Sequence, residues 1–332
     1  MDVQLLELLK ALLVGIVEGV TEWLPISSTG HMILFDEFVR MDVSPRFLEM
    51  FRVVIQLGAI MAVVILYFHR LNPFSPRKAP AQRRATLGLW AKVVVACVPA
   101  AIVGFLLDDW VEAHVFNAVV VACALVVYGI AFIVIERIKG SGEGPGREEG
   151  RAHRANGAGR GEGRRYKGED HGRYRGRHAR PASGGAGAAG GGGGEELASL
   201  SFPRALAIGL FQCLAIVPGT SRSGSTILGA RILGVSRQVA AEFSFFLAIP
   251  VMLGWSLLKV LKVFVLDGLS PTATEWGVLA VGLVAAFAVS VAAIRFLMGY
   301  IKGHSFEAFG WYRIVLGILV LAFFALTGSL FG

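Results

Sequence analysis

The sequence predicts an all-α, polytopic membrane protein made of two inverted-topology repeats, each a broken re-entrant helical segment followed by about three transmembrane spans. Three observations predict it. Hydrophobic residues make up 55% of the chain and charged residues 17%, against roughly 25% charged in an ordinary soluble domain. Apolar stretches recur that are long enough to cross a bilayer, whose ~30 Å core needs about 20 residues of helix. The polar segment GIVEGVTEWLPISSTGH, which starts at Gly15, also has a degenerate copy in the second half of the chain.

The amino-terminal stretch MDVQLLELLKALLVGIVEGV is apolar, but it lacks a basic leader. Glu7, Glu18 and Glu22 punctuate this region, so it reads as a helix of the mature protein and not as a signal peptide. Pro25 ends that helix, because the residue before a proline disfavours helical geometry. Ser27, Ser28 and Thr29 are then placed to cap a new helix beginning near His31. Spans follow near residues 52–68, 90–107 and 115–135, and in the second half near 243–266, 276–297 and 311–331.

Lys and Arg mark the cytoplasmic side of a membrane protein. Residues 69–92 carry Arg70, Arg77, Lys78, Arg83 and Arg84 and are read as cytoplasmic; Arg295, Lys302 and His304 return to that side. Asp108, Asp109, Glu112, Asp267 and Glu275 are read as external. The formal net charge of +8 thus resides mostly between spans, and no nucleic acid is expected as a partner. Cys97, Cys123 and Cys213 lie in apolar stretches without CxxC or His-rich spacing, so they are expected as small buried side chains, not as disulfides or a zinc site.

Placed over GLFQCLAIVPGTSRSGSTIL, the first segment aligns Gly15 with Gly209, Glu18 with Gln212, Ser27 with Ser221, Gly30 with Gly224 and Ile33-Leu34 with Ile227-Leu228. Pro25 and Pro218 fall one place out of register. Each copy precedes three spans, an odd number, so the second would enter the membrane from the opposite side. Residues 36–49 then come out external and 231–237 internal. Inverted repeats whose broken helices meet near the midplane are a known transporter-type architecture.

The organisation expected is a first inverted repeat over 1–139, a disordered Gly/Arg-rich cytoplasmic linker over 140–195 and a second inverted repeat over 196–332. The linker composition cannot form a core. Its Arg residues with Tyr166 or Tyr174 would suit RNA or anionic lipid, but Glu148, Glu149, Glu162, Glu169 and Asp170 are interspersed, which favours a plain spacer.

Glu18 and Glu22 stand four residues apart, on one face of a helix. Inside a membrane such a pair needs something positive, either a divalent cation or an arginine. A helix start after the break points free N–H groups and the positive end of its dipole at whatever precedes it, which suits phosphate. The second copy, PGTSRSGST, repeats the design: Pro218 and Gly219 break the helix, Gly224 permits close backbone approach, and Thr220, Ser221, Ser223, Ser225 and Thr226 offer hydroxyls. Arg222 adds a guanidinium suited to bidentate phosphate contact. His31 suits a general base or acid. His69 and His304 read as interface anchors, Trp23 as a packing or interface residue, and Gln56 and Gln212 as lining the site or bonding between helices.

EGVTEWLPISSTGH and PGTSRSGST, with VIQLGAI after Arg52 and EFSFFLAIP from Glu242, closely resemble the bacterial undecaprenyl pyrophosphate phosphatase family, the bacitracin-resistance type. The resemblance covers most of the chain outside the linker. It implies a multi-pass enzyme of the bacterial inner membrane, with its site toward the outer face, that removes the terminal phosphate of undecaprenyl pyrophosphate and so recycles the lipid carrier of cell-wall synthesis. It places the family's acidic motif on Glu18 and Glu22, its hydroxyl and histidine on Ser28 and His31, and its arginine motif on Ser221, Arg222 and Thr226. It also implies dependence on a divalent cation, Mg2+ or Ca2+, bound by Glu18 and Glu22. The family commonly has an acidic residue before VIQLG, where this chain has Arg52, and the linker is not typical of it.

On this reading Glu22, Ser28, His31 and Arg222 form the catalytic set, while Ser27, Thr29, Gly219, Thr220, Ser221, Ser223, Gly224 and Thr226 bind the pyrophosphate. The nucleophile is either Ser28 assisted by His31 or a water activated by His31 or Glu22. The substrate is a polyprenyl pyrophosphate with its tail among apolar helices or in the bilayer, and a homodimer is compatible with the sequence. The alternative is a transporter or flippase of lipid phosphate or small anions on the same architecture. A phosphatase of the phosphatidic-acid type would need a histidine after its SR motif, and SRSGSTILGARIL has none; neither a cysteine loop ahead of Arg222 nor a Walker loop is present. A folded chain with the linker deleted is expected to keep its activity, measured as turnover in detergent; loss of activity would overturn the spacer reading.

Overall fold

The computed structural model describes residues 3–115, 117–140, 197, 199–266 and 268–328. All regular structure among them is helical. In the first half α1 (Val3–Thr21) and α2 (Ser28–Phe38) flank a turn, followed by α3 (Pro45–Leu66), a short α4 (Phe68–Leu71), α5 (Pro80–His114) and α6 (Ala118–Gly140). The second half repeats the order. Helix α7 (Phe202–Cys213), extended by a 3-10 turn at Leu214–Ile216, precedes α8 (Arg222–Ile232), α9 (Arg237–Leu261), α10 (Ala273–Tyr300) and α11 (Glu307–Thr327). A π-helical turn, Lys262–Leu266, prolongs α9.

Among the described residues, six helices, α3, α5, α6, α9, α10 and α11, are long and apolar enough to cross a membrane. The chain is a multi-pass membrane protein. Each expected span lies on one of these helices, but α3, α5 and α9 begin well ahead of the apolar stretch. Backbone hydrogen bonding continues the helix into polar sequence, and Pro45 and Pro80 sit at helix starts, where their missing N–H costs nothing. Helix α11 stops at Thr327 because Gly328 turns left-handed at φ 74°. The linker expected over 140–195 lies outside the described residues apart from Gly140, as do Asp267 and the side chains of Asp108, Asp109 and Glu112.

Both breaks open earlier than the sequence suggests. Helix α1 ends at Thr21, not at Pro25, and α2 starts at Ser28, not near His31. Pro25 excludes helical geometry at Leu24, and Ser27 is the actual cap, its Oγ accepting from the Gly30 N–H at 3.3 Å. The cysteines are less buried than expected: Cys123 is exposed and Cys97 and Cys213 are half-buried. A thiol facing lipid meets no penalty, since the bilayer is apolar.

Packing crosses between the halves. Helix α1 lies against α10 and α7 against α5, while α6 pairs with α11 and α3 with α9. Glycines make the close crossings, as is usual where helices associate in lipid. A Cβ added at Gly15 would stand 2.5 Å from the Gly282 carbonyl oxygen, and one at Gly209 would stand 2.2 Å from that of Ala96.

Ion pairs tie the helix ends together. Arg70, after α3, bonds Glu242 near the start of α9 at 2.6 Å. Glu136, near the end of α6, is held by Arg231 at 2.8 Å and Arg237 at 2.7 Å, and Arg137 reaches Glu307 at the start of α11. At the other end Lys10 bonds Glu7 and the Arg40 carbonyl, and Glu7 accepts from the Asp42 N–H. Gly209→Ala is expected to destabilise the protein by about 1–3 kcal/mol through overpacking, read as a lower unfolding temperature in detergent. Gly299→Ala, with nothing within 4 Å of the added Cβ, is the neutral control.

Candidate active site

The two breaks are built alike. Ser27 and Ser221 are the N-caps of α2 and α8, at φ 74° and 71°, and they are the only non-glycine residues with positive φ among the described residues. Such conformations cost on the order of 1–3 kcal/mol each and concentrate at functional sites. Each cap oxygen accepts from the N–H three residues on, Gly30 at 3.3 Å and Gly224 at 3.1 Å. The first-turn N–H groups of both helices are thereby presented at the breaks, an arrangement that favours anions.

Side chains join the breaks. Arg222 Nη2 donates to Glu22 Oε1 at 3.1 Å and its Nη1 donates to the Ser244 carbonyl at 2.9 Å. Ser28 Oγ donates to the other Glu22 oxygen at 3.1 Å. Ser223 Oγ donates to the Glu22 carbonyl at 3.1 Å, fixing the start of α8 against the first break. Of the two positive partners the sequence left open for the acidic pair, an arginine is therefore present.

Groups without partners show what the site still has to offer. Glu18 is 2% exposed, lies within electrostatic reach of Glu22 and Arg222, and has a buried Oε1 without a hydrogen bond. Arg222 Nε is buried and likewise unpartnered. One is an acceptor for a cation, the other a donor for an anion. Gln212, aligned with Glu18, is equally buried with both amide atoms unpartnered.

Other predicted residues serve the scaffold. Thr220 donates to the Leu214 and Val217 carbonyls, and Thr226 bonds the Arg222 carbonyl and the Ser244 hydroxyl. Ser221 and Ser223 share a hydroxyl contact at 3.1 Å. Gly219 contributes backbone alone: at φ 92°, an added Cβ would stand 2.5 Å from the Val121 carbonyl oxygen. Gly224 packs beside Arg313, whose Nη1 would be 3.1 Å from an added Cβ. Thr29 is half-buried next to the cap. Trp23 is fully buried, edge-on to Phe245 at 5.3 Å and beneath Arg222, so it packs under the site and is no interface anchor. The His31 ring bonds the Ser27 carbonyl and the Tyr312 hydroxyl, and not Ser28.

The family model described as Bacitracin resistance protein BacA matches residues 11–160 and 179–319. The chain belongs to this family. A BacA-family relative named undecaprenyl-diphosphatase, from Limosilactobacillus fermentum, is 48% identical over 322 residues, covering 97% of this chain and 99% of its own length. Proteins of the same name from Streptococcus thermophilus and Enterococcus faecalis are 49% and 46% identical, over 99% and 95% of this chain and 96% of each relative.

Sequence reasoning missed the residue that holds the BacA-family breaks together. Arg313 of α11 is fully buried; its Nη1 donates to the Pro25 carbonyl at 3.2 Å and its Nη2 to those of Gly219 and Thr220 at 2.8 and 2.9 Å. The guanidinium also lies 5.4 Å from the Tyr128 ring centre. The signal was available: Arg313 is the only charged residue within 311–331, and an ionisable residue inside a span is by itself a pointer to function. Arg313→Met would strand three carbonyls and is expected to cost roughly 2–5 kcal/mol, seen as a large drop in unfolding temperature in detergent. Arg137→Met, which removes the more exposed pair with Glu307, should cost no more than about 1 kcal/mol.

Proposed function

We propose that this protein is an undecaprenyl-diphosphatase, removing the terminal phosphate of undecaprenyl pyrophosphate to give undecaprenyl phosphate and inorganic phosphate. The observation that carries this reading is the cluster of Glu22, Ser28 and Arg222, with Glu18 beside it, built where two strained helix starts meet inside a membrane protein. Family membership and the activity named for its relatives point the same way.

The catalytic set is Glu22, Ser28, His31 and Arg222; the caps Ser27 and Ser221 with Thr29, Ser223 and Gly224 form the cradle, whose shape Gly219, Thr220 and Thr226 hold through backbone and scaffold bonds. Arg222 and the first-turn N–H groups of α2 and α8 bind the terminal phosphate and stabilise charge that develops on its oxygens, the main requirement in phosphoryl transfer. Attack on the terminal phosphorus breaks its bond to the bridging oxygen, which leaves with the lipid phosphate. The attacking oxygen is Ser28 Oγ, followed by hydrolysis of the phosphoserine, or a water. Ser28 already gives its hydrogen bond to Glu22, which makes Glu22 as well as His31 a candidate acceptor of the proton.

The orphaned Glu18 oxygen fits a divalent cation, Mg2+ or Ca2+, held by Glu18 and Glu22. No cluster of three metal-ligating side chains occurs among the described residues, so phosphate oxygens and water would complete the shell, as is usual for Mg2+. When bound, such an ion neutralises phosphate charge.

Several contacts support two inverted repeats with re-entrant breaks over 1–139 and 196–332. Arg70 after α3 meets Glu242 at the start of α9, so these equivalent helices run in opposite directions. Glu7 and Lys10 in α1 bond residues between α2 and α3, placing both ends of the first broken pair on one side. Arg231 at the end of α8 bonds Glu136 near the end of α6, which supports an exit of the second pair on the opposite, basic side. Helices α2, α7 and α8 have 11, 12 and 11 residues, about half of what a span requires. With the basic side cytoplasmic, the first pair enters from the outer face of the bacterial inner membrane.

Purified protein in detergent is expected to release phosphate from undecaprenyl pyrophosphate, to stop on chelation, and to lose about 10²–10³-fold in kcat in a folded Arg222→Ala variant. No release by well-folded wild type across several metals and lipids would overturn the hydrolase reading in favour of transport. Trapping a phosphoserine at Ser28 would identify the nucleophile, and full activity of Ser28→Ala would exclude it.

A further inference from the structure

We infer that Tyr312 is the positioning residue that holds the His31 imidazole in its working orientation. The inference rests on the proposed hydrolase reading and concerns a residue that no motif singles out.

His31 is held at both ring nitrogens. Nδ1 lies 2.7 Å from the Ser27 carbonyl oxygen. A carbonyl only accepts, so Nδ1 carries the hydrogen, and the lone pair of the neutral ring is on Nε2. The Tyr312 hydroxyl stands 2.7 Å from that nitrogen. The two ring planes lie 9° from parallel with centroids 5.5 Å apart, the orientation that an in-plane bond at Nε2 requires.

The two bonds do different work. The bond to Ser27 selects the tautomer and couples the ring to the strained cap of α2. One bond leaves rotation of the ring about that contact; the second, at the opposite nitrogen, fixes the plane. A hydroxyl is suited to this place, because the one basic atom, Nε2, is covered by its O–H: the Tyr312 oxygen takes an incoming proton as its own hydroxyl proton passes to Nε2, and the hydroxyl then accepts from Nε2–H.

The surroundings offer no substitute. His31 lines an apolar groove of about 180 Å³ with Val17, Leu34, Phe35, Phe38 and Leu316, none of which has a side-chain hydrogen-bonding group. Ser28, three residues before His31, gives its hydrogen bond to Glu22 instead. Without the Tyr312 hydroxyl, Nε2 would lose this partner and the ring would be free to turn away from the break. Tyr312 also precedes Arg313, so the turn of α11 that grips both breaks also orients the imidazole beside them.

The test is a double-mutant cycle on phosphate release from undecaprenyl pyrophosphate with wild type, Tyr312→Phe, His31→Ala and the double variant. Phenylalanine keeps the aromatic ring and removes only the hydroxyl. Tyr312→Phe is expected to lower kcat by about tenfold or more with KM within about twofold of wild type. In the His31→Ala background the same change should cost nothing further. Additive losses, or wild-type kcat in Tyr312→Phe, would overturn the inference. Independently of turnover, the Nε2 resonance of His31 in 15N-histidine-labelled protein should shift in Tyr312→Phe; an unmoved signal would show that the hydroxyl does not contact it. Wild type that releases no phosphate would overturn the hydrolase reading itself, whereas additivity in an active enzyme overturns only the role of Tyr312.

Discussion

Non-helical backbone buried within a protein survives only if its polar groups are satisfied, and in this chain Arg313 meets that constraint. Its buried guanidinium takes the carbonyls of Pro25, Gly219 and Thr220, one from the first break and two from the second. The two sets of carbonyls are thereby drawn to one point on α11. The amides of two of these peptide units are spent within the breaks, Ile26 N–H on the Leu24 carbonyl at 2.7 Å and Thr220 N–H on the Val217 carbonyl at 3.2 Å, so Arg313 fixes the loops that carry the two helix starts.

Around this grip, the ends of the elements are pinned far from the chemistry. Glu136 between Arg231 and Arg237 anchors the far end of α8, whose near end carries Arg222. Arg70 and Glu242 join α3 to α9, and α9 supplies Ser244, the carbonyl partner of Arg222. Removing one member of such buried pairs typically costs 3–5 kcal/mol. Arg222 is thus held by the fold while its Nε stays buried without a hydrogen bond.

Arg52 is compensated by a neighbour of its own. It bonds Asp36 near the end of α2, both side chains being partly exposed. A cation at this position is compensated locally by a carboxylate of the preceding element. Contact with the Glu22 and Arg222 cluster is not among the bonds it makes.

The membrane class, the six spans, the two broken segments and the acidic and arginine motifs were legible in the sequence, because each depends on local composition or on residues close along the chain. Hydrophobic runs report length against the bilayer, Pro25 and Pro218 report breaks, and Glu18 with Glu22 reports a buried charge problem that needs a partner. Where each break opens was less legible, since the strained caps at Ser27 and Ser221 are sustained by packing and not by propensity. Only the tertiary structure decided which cation answers Glu22, that Trp23 is buried under the site, that several hydroxyls of PGTSRSGST are spent on scaffold bonds, and that Arg313 and Tyr312 complete the assembly. The bonds of Arg222 to Glu22, of Arg313 to Pro25 and of Tyr312 to His31 join residues 200, 288 and 281 positions apart in the chain. No local pattern encodes such pairings; they arise from helices crossing between the two halves at glycine contacts.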